Sequence, residues 1–158
     1  MKRRTFFSLS AGAGLGMILP RSVSRASELS PRGFSNNPTL EKPIVISTWE
    51  HGMAANEAAW KQLIEGGSAL DAVEIGVKVT ESDPNNLSVG LGGLPDRDGN
   101  VTLDACVMNH KHECGAVAYL RDIENPISVA RKVMEDTPHV MLVGAGAKEF
   151  ALSQGFKH

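Results

Sequence analysis

At 158 residues the chain is long enough for one domain, and its formal charge of −2 at pH 7 conceals an uneven distribution. Residues 1–26 hold five of the 16 basic side chains and no acid, so the other 132 residues carry 11 basic against 18 acidic groups, a net charge of −7. That excess argues against nucleic acid or an anionic membrane as a partner.

Taken in chain order, Arg3-Arg4-Thr5-Phe6-Phe7 is followed by a weakly apolar run rich in Ala and Gly over residues 8–19. Ser24-Arg25-Ala26 then offers small residues at the two positions a signal peptidase reads. The run is too short and too rich in glycine to cross a bilayer as a helix. The paired arginines resemble a twin-arginine export signal over 1–26, which predicts a periplasmic or secreted product; the alternative is a disordered basic arm. Residues 27–41, rich in Ser, Pro and Asn, read as a disordered leader to a folded part at 42–158.

Residues 43–49, PIVISTW, have the β-branched content of a buried strand. A helix is predicted over 54–65, stopped by Gly66-Gly67. The next opens on Ser68-Ala69-Leu70-Asp71, a capping box, and directs Leu70, Val73 and Val77 at a sheet. Residues 101–108 and 115–120 read as strands joined by a polar turn over 109–113. Such a hairpin puts Cys106 opposite residue 116 rather than Cys114, which predicts free, buried thiols. Two cysteines at this spacing make neither a metal pair nor a disulfide framework. Asn125-Pro126 starts a helix with a capping side chain and proline at the first position, with Ile127, Ala130 and Met134 inward. An apolar segment over 140–143, of undecided type, leads to a last helix over 147–152. Helices grouped against a largely antiparallel sheet make the fold class α+β. Helices on one face would leave the other bare, as in part of a larger fold.

Between the helices and the strands lies SVGLGGLPDRDGNVTLDA, residues 88–105. It fails as a phosphate cradle, because its glycines lead into Pro95 and a strand rather than a helix N-terminus. As a calcium loop, Asp96-Arg97-Asp98-Gly99 lacks the third spaced ligand and a closing glutamate. Asp98-Gly99 between apolar runs is a hairpin-turn signal. Gly90, Gly92 and Gly93 leave room for backbone amides to approach a ligand or another segment. His110, His112 and Glu113 resemble a metal cluster in composition only and are expected to be solvated. Trp49 follows a strand and precedes the turn-like Glu50-His51-Gly52, so its ring could stand at a pocket rim as a platform for a sugar or amino acid. The competing reading is a core tryptophan, as expected of Trp60. Ser47, Ser68 and Ser88 have no His and Asp at a recognisable catalytic spacing.

Several motifs in order carry a resemblance: residues 43–49; ALDAVE at 69–74; SVG at 88–90 through GNVTLDAC at 99–106; NPISVAR at 125–131; and TPHVMLVG at 137–144. Together they resemble the glycosylasparaginases, from about residue 42 to 156. The resemblance implies an N-terminal nucleophile hydrolase with an αββα sandwich, of which this chain would supply the N-terminal part. It implies a precursor that cuts itself to expose a threonine nucleophile, at a His-Asp-Thr run beyond this chain. The reaction implied is hydrolysis of N-glycosylated asparagine to aspartate and a glycosylamine. A free α-amine with a pKa near roughly 8 is a suitable base for its own hydroxyl.

By the same resemblance Thr48, Thr80, Thr102 and Thr137 lie in the noncatalytic half, so no catalytic residue is expected here. Trp49 is the implied substrate contact, and Ser88 is implied in the environment of self-cleavage. No cofactor or metal is implied. The implied partners are the C-terminal half of the same precursor and a second such pair in a dimer. Close relatives have Asn-Phe after the tryptophan where this chain has Glu50-His51. The tryptophan itself favours glycosylasparaginase over isoaspartyl peptidases and plant-type asparaginases. Those remain the alternative, together with an inactive truncated copy.

Overall fold

A computed structural model describes residues 42–158, so the expected export signal (1–26) and the leader (27–41) lie outside the described residues. The elements are α1 (Gly52–Ile64), α2 (Ala69–Glu81), a 3-10 turn (Gly90–Gly92), β1 (Leu103–Met108), β2 (Cys114–Leu120), α3 (Pro126–Asp136), β3 (Met141–Val143) and α4 (Gly144–Ser153). The fold is mixed α+β, with a small sheet and four helices. Among the described residues no helix is long and apolar enough to cross a membrane.

The capping box of α2 forms as its sequence requires. The Asp71 amide donates to Ser68 Oγ at 3.1 Å, and the Ser68 amide donates to Asp71 Oδ2 at 3.2 Å. The Ser68 hydroxyl, which donates to Asp71 Oδ2 at 2.6 Å, Arg131 and the Ser68 amide hold the Asp71 carboxyl below its ordinary value. α2 packs on α1 through small residues, Gly76 against Ala55 and Ala59, with Ala72 also buried. Leu70 and Val77 reach the core, but Val73 is half exposed, and the main neighbours of α2 are α1 and α3 rather than the expected sheet. Arg131 of α3 joins the two helices, its Nη1 lying 2.7 Å from both Asp71 Oδ1 and Glu74 Oε2 while its Nε donates to Glu135 Oε1 at 2.8 Å. Trp60 is 43 % exposed and is not the expected core tryptophan. The neighbouring Ala59 faces α2, and one residue further along a helix points about 100° away.

β1 and β2 pair antiparallel, Cys106 opposite Ala116 and Met108 opposite Cys114. Asn109 closes their turn, its Oδ1 accepting from the Lys111 amide at 2.9 Å and the Glu113 amide at 3.1 Å. β3, the undecided segment, pairs parallel with β2, Ala116 beside Met141 and Ala118 beside Val143. α3 therefore forms a β2–α3–β3 crossover, and Val107, Val117, Leu120, Ile127, Val129, Ala130, Val133, Ala147 and Ala151 fill the core. Gly115 lets α3 lie directly on β2: a Cβ there would stand 2.2 Å from the Ala130 carbonyl oxygen.

The register places Cys106, Met108, Cys114, Ala116, Ala118, Met141 and Val143 on the opposite face of the sheet. Met108, Met141 and Val143 are more than half exposed there. The cysteines are free, but neither is buried: Cys106 is exposed and Cys114 partly so. The expectation of buried thiols fails because the register sets both cysteines on the sheet face opposite Val107 and Val117.

Residues 43–49 correct a second expectation. They form no strand, and Ile46 is 84 % exposed. β-branched alternation states what a backbone can pair with, yet a strand exists only beside a second one. The segment instead lies over α1 and α2, where residues 44–47 border an apolar groove of about 540 Å³ with Ala59, Ala72 and Val73. Ser47 Oγ anchors it, donating to Asn56 Oδ1 at 2.5 Å.

The Asp98-Gly99 signal is a turn. Asp96 Oδ1 accepts from the Asp98 amide at 2.9 Å and the Asn100 amide at 2.8 Å, with Gly99 at φ +83°. It is not a β-hairpin, since the stretch before it is a 3-10 turn and coil.

Candidate functional site

α2 runs out at Glu81, and Pro84 begins a loop that doubles back over the helix end. Asp83 Oδ1 turns it by accepting from the Asn85 amide at 2.9 Å, and buried Asn86 continues it, its Oδ1 accepting from the Ser88 amide at 2.9 Å. The loop closes at Gly90, whose φ is +66° and whose Cβ, if present, would stand 1.8 Å from the Glu81 carbonyl oxygen. Only glycine fits both constraints.

This loop meets the turn that starts α1. Trp49, Glu50 and His51 from one side, with Asp83, Asn85, Asn86 and Leu87 from the other, line an open cavity of about 470 Å³. The Trp49 side chain is not in the core; the residue is 68 % exposed, and its ring stacks on His51 at a centroid distance of 6.0 Å and an interplanar angle of 26°. Ser88 is exposed and follows the last lining residue, Leu87. Of the two residues singled out from the sequence, Trp49 thus lines the cavity and Ser88 lies one residue beyond its lining.

Sequence reasoning missed Asp83 and Asn86, although Asp-Pro-Asn after an apolar helix is an Asx-turn signal that could have found the first. It missed Glu81 as well. Glu81 is 2 % exposed, its Oε1 accepting from the Ile127 amide at 3.0 Å while its Oε2 has no hydrogen-bond partner. Burial pushes this carboxyl up to about 7, against the opposing pull of the Ile127 amide and the Asn125 side chain. The expected cap of α3 by Asn125 is absent. Asn125 Nδ2 instead donates to Ser82 Oγ at 3.1 Å, and Glu81 satisfies the start of α3 from the neighbouring helix.

The site presents an aromatic platform beside amides and carboxylates, suited to holding a polar ligand with one flat apolar face. Among the described residues, the hydroxyls of Ser47, Ser68, Ser82 and Ser128 donate to Asn56, Asp71, Glu124 and Glu74, and none of these four donates to histidine. His110, His112 and Glu113 lie exposed on the β1–β2 turn, where Glu113 Oε2 accepts from Asn109 Nδ2 at 2.6 Å. Among the described residues no group of three metal-ligating side chains converges.

Comparison with known proteins bears on this arrangement. The chain is 64 % identical over 123 residues to an N(4)-(Beta-N-acetylglucosaminyl)-L-asparaginase of Elizabethkingia miricola, covering 78 % of this chain and 36 % of that protein. It is 50 % identical over 115 residues to the enzyme of the same name from Rattus norvegicus, covering 72 % and 33 %. A plant-type L-asparaginase of Pyrococcus abyssi is 53 % identical over 100 residues, covering 63 % and 32 %. The chain therefore spans about a third of the length of these relatives. The family described as asparaginase matches residues 41–158, which include every described element and both loops of the cavity, and the chain belongs to that family.

Proposed function

We propose that this chain is the N-terminal part of an exported amidohydrolase that splits the side-chain amide of N-glycosylated asparagine into aspartate and a glycosylamine. The observation that carries the reading is the exposed Trp49 ring over the cavity, within a chain so similar to proteins named for that activity. In this reading the C-terminal half of the precursor supplies a second sheet, which covers the apolar face bearing Met108, Met141 and Val143 and completes an αββα sandwich. That half also supplies the nucleophile, a threonine freed at its N-terminus by self-cleavage. The threonine hydroxyl attacks the amide carbon while its own α-amine takes the proton and then gives it to the departing glycosylamine. Water then hydrolyses the acyl-enzyme ester to aspartate. Trp49 packs against the substrate, and Ser88 shapes the environment of self-cleavage. His51 stacks on the platform. The second reading is an isoaspartyl peptidase or L-asparaginase, favoured by the similarity to the Pyrococcus protein.

Expressed at full length, the protein is expected to run as two chains on a denaturing gel, the second starting with threonine, and to hydrolyse aspartylglucosamine faster than an isoaspartyl dipeptide. A single uncut chain without amidase activity would refute the proposal, while the reverse substrate order selects the second reading. Trp49→Ala is expected to raise KM for the glycoasparagine about tenfold, in keeping with a lost aromatic contact. Unchanged kinetics would remove Trp49 from the site. Cys106, exposed on the open face here, is expected to react with an alkylating reagent at least about a hundredfold more slowly in the folded full-length protein than in the unfolded one. Equal rates would show that no second sheet covers this face.

A further inference from the structure

Glu81 joins three segments. Its side chain receives the amide of Ile127, the second residue of α3. Its backbone ends α2, and its carbonyl is the floor on which the Gly90 turn rests. Between Glu81 and Gly90 lies the loop that lines the Trp49 cavity and carries Ser88. One carboxyl oxygen, buried and without a donor, cannot be offset as an anion, so the neutral acid is the form that this packing favours.

We propose that Glu81 is the positioning residue of the Ser88 loop: its carboxyl group, neutral in the fixed state, ties the end of α2 to the first turn of α3, and the loop rests on the backbone so held. The charged groups around it do not reverse this choice. Lys78 on α2 favours the anion and Glu74 disfavours it, both with less effect than burial. Ahead of α3, Glu124 accepts from Ser82 Oγ at 2.8 Å, and within the loop Asp83 is turned toward Asn85. The Gly90–Gly92 turn brings no charge. When Glu81 ionises, a buried charge appears at the end of α2, whose last carbonyl supports that turn, and opening the loop to water relieves it. The loop is therefore held most firmly in acid and released as pH rises. The consequence for self-cleavage rests on the function proposed above; the consequence for the loop does not.

The test is hydrogen exchange of the amides of residues 82–94 in the full-length protein, corrected for intrinsic rates, between pH 4.5 and 8.5. In the wild type, protection is expected to fall by up to about tenfold per pH unit from about 4.5 to 7 and to level off above. Glu81→Gln, a neutral side chain that still accepts the Ile127 hydrogen bond, should hold protection constant. Glu81→Ala should lose it at every pH, which a merely structural role would not separate from Gln. A measurement needing no variant is the carbon-13 titration of the Glu81 carboxyl, expected to move together with loop protection. A carboxyl that titrates below pH 5, or identical profiles for wild type and Gln, overturns the proposal. Self-cleavage is scored on the same samples: an uncut precursor with the expected exchange profile removes the function proposed above and leaves the role of Glu81 standing.

Discussion

Gly115→Ala is expected to cost the full-length protein about 3 kcal/mol of folding stability, the upper end of what overpacking does. The added methyl group would meet backbone on the facing helix, the Ala130 carbonyl oxygen at 2.2 Å and the Met134 amide nitrogen at 2.6 Å. A flexible side chain could swing aside, but a helix backbone can only retreat as a body. α3 carries Val129, Ala130 and Val133, all fully buried, so its retreat would loosen contacts along the whole core. Gly146→Ala is the matched control. It lies in α4 with open space around its Cβ position, and alanine there is expected to stabilise by about 0.5–1 kcal/mol through helix propensity. Denaturant unfolding of both variants checks the pair. A Gly115→Ala midpoint near that of the wild type would mean that α3 does not rest on β2 as described.

The second large effect is pH dependence. Burial raises the Glu81 carboxyl from an ordinary 4.5 to about 7, so between those values the folded protein binds a proton that the unfolded chain has lost. Stability from this group is full below about pH 4.5 and is lost as pH rises through about 7, a fall of about 3 kcal/mol across the window. Asp71 acts in the opposite direction. Its carboxyl is held below 3.8 by Ser68 and Arg131, so its contribution is present above that value and is lost only as pH falls further. The two windows do not overlap, so the slope between pH 4.5 and 7 separates Glu81 from Asp71. Glu81→Gln is expected to flatten it; chemical denaturation at five or six pH values makes the comparison. An unchanged slope in the variant would assign the effect to other groups.

Much of this was legible in the residues because it is local. The Ser68–Asp71 box, proline at the start of α3, the Asp98-Gly99 turn and the Cys106–Ala116 register each depend on a few adjacent residues or on turn length. The structure reproduces each of them. Trp49 was legible as a pocket candidate from its place before a turn, and the structure sets it at a cavity rim.

What misled was always a question of neighbours. Residues 43–49 have strand chemistry but no adjacent strand among the described residues, Asn125 has capping chemistry but serves Ser82, and the cysteines lie on a face that nothing described covers. The amino-acid order determined which segments could become helices, turns and paired strands, since backbone preference and hydrogen-bond reach act over a few residues. Only the tertiary structure decided that Glu81 would cap a helix 46 positions away and support the Ser88 loop. Burial and the loss of water around one carboxyl are set by segments far apart in the chain, and no local pattern records them.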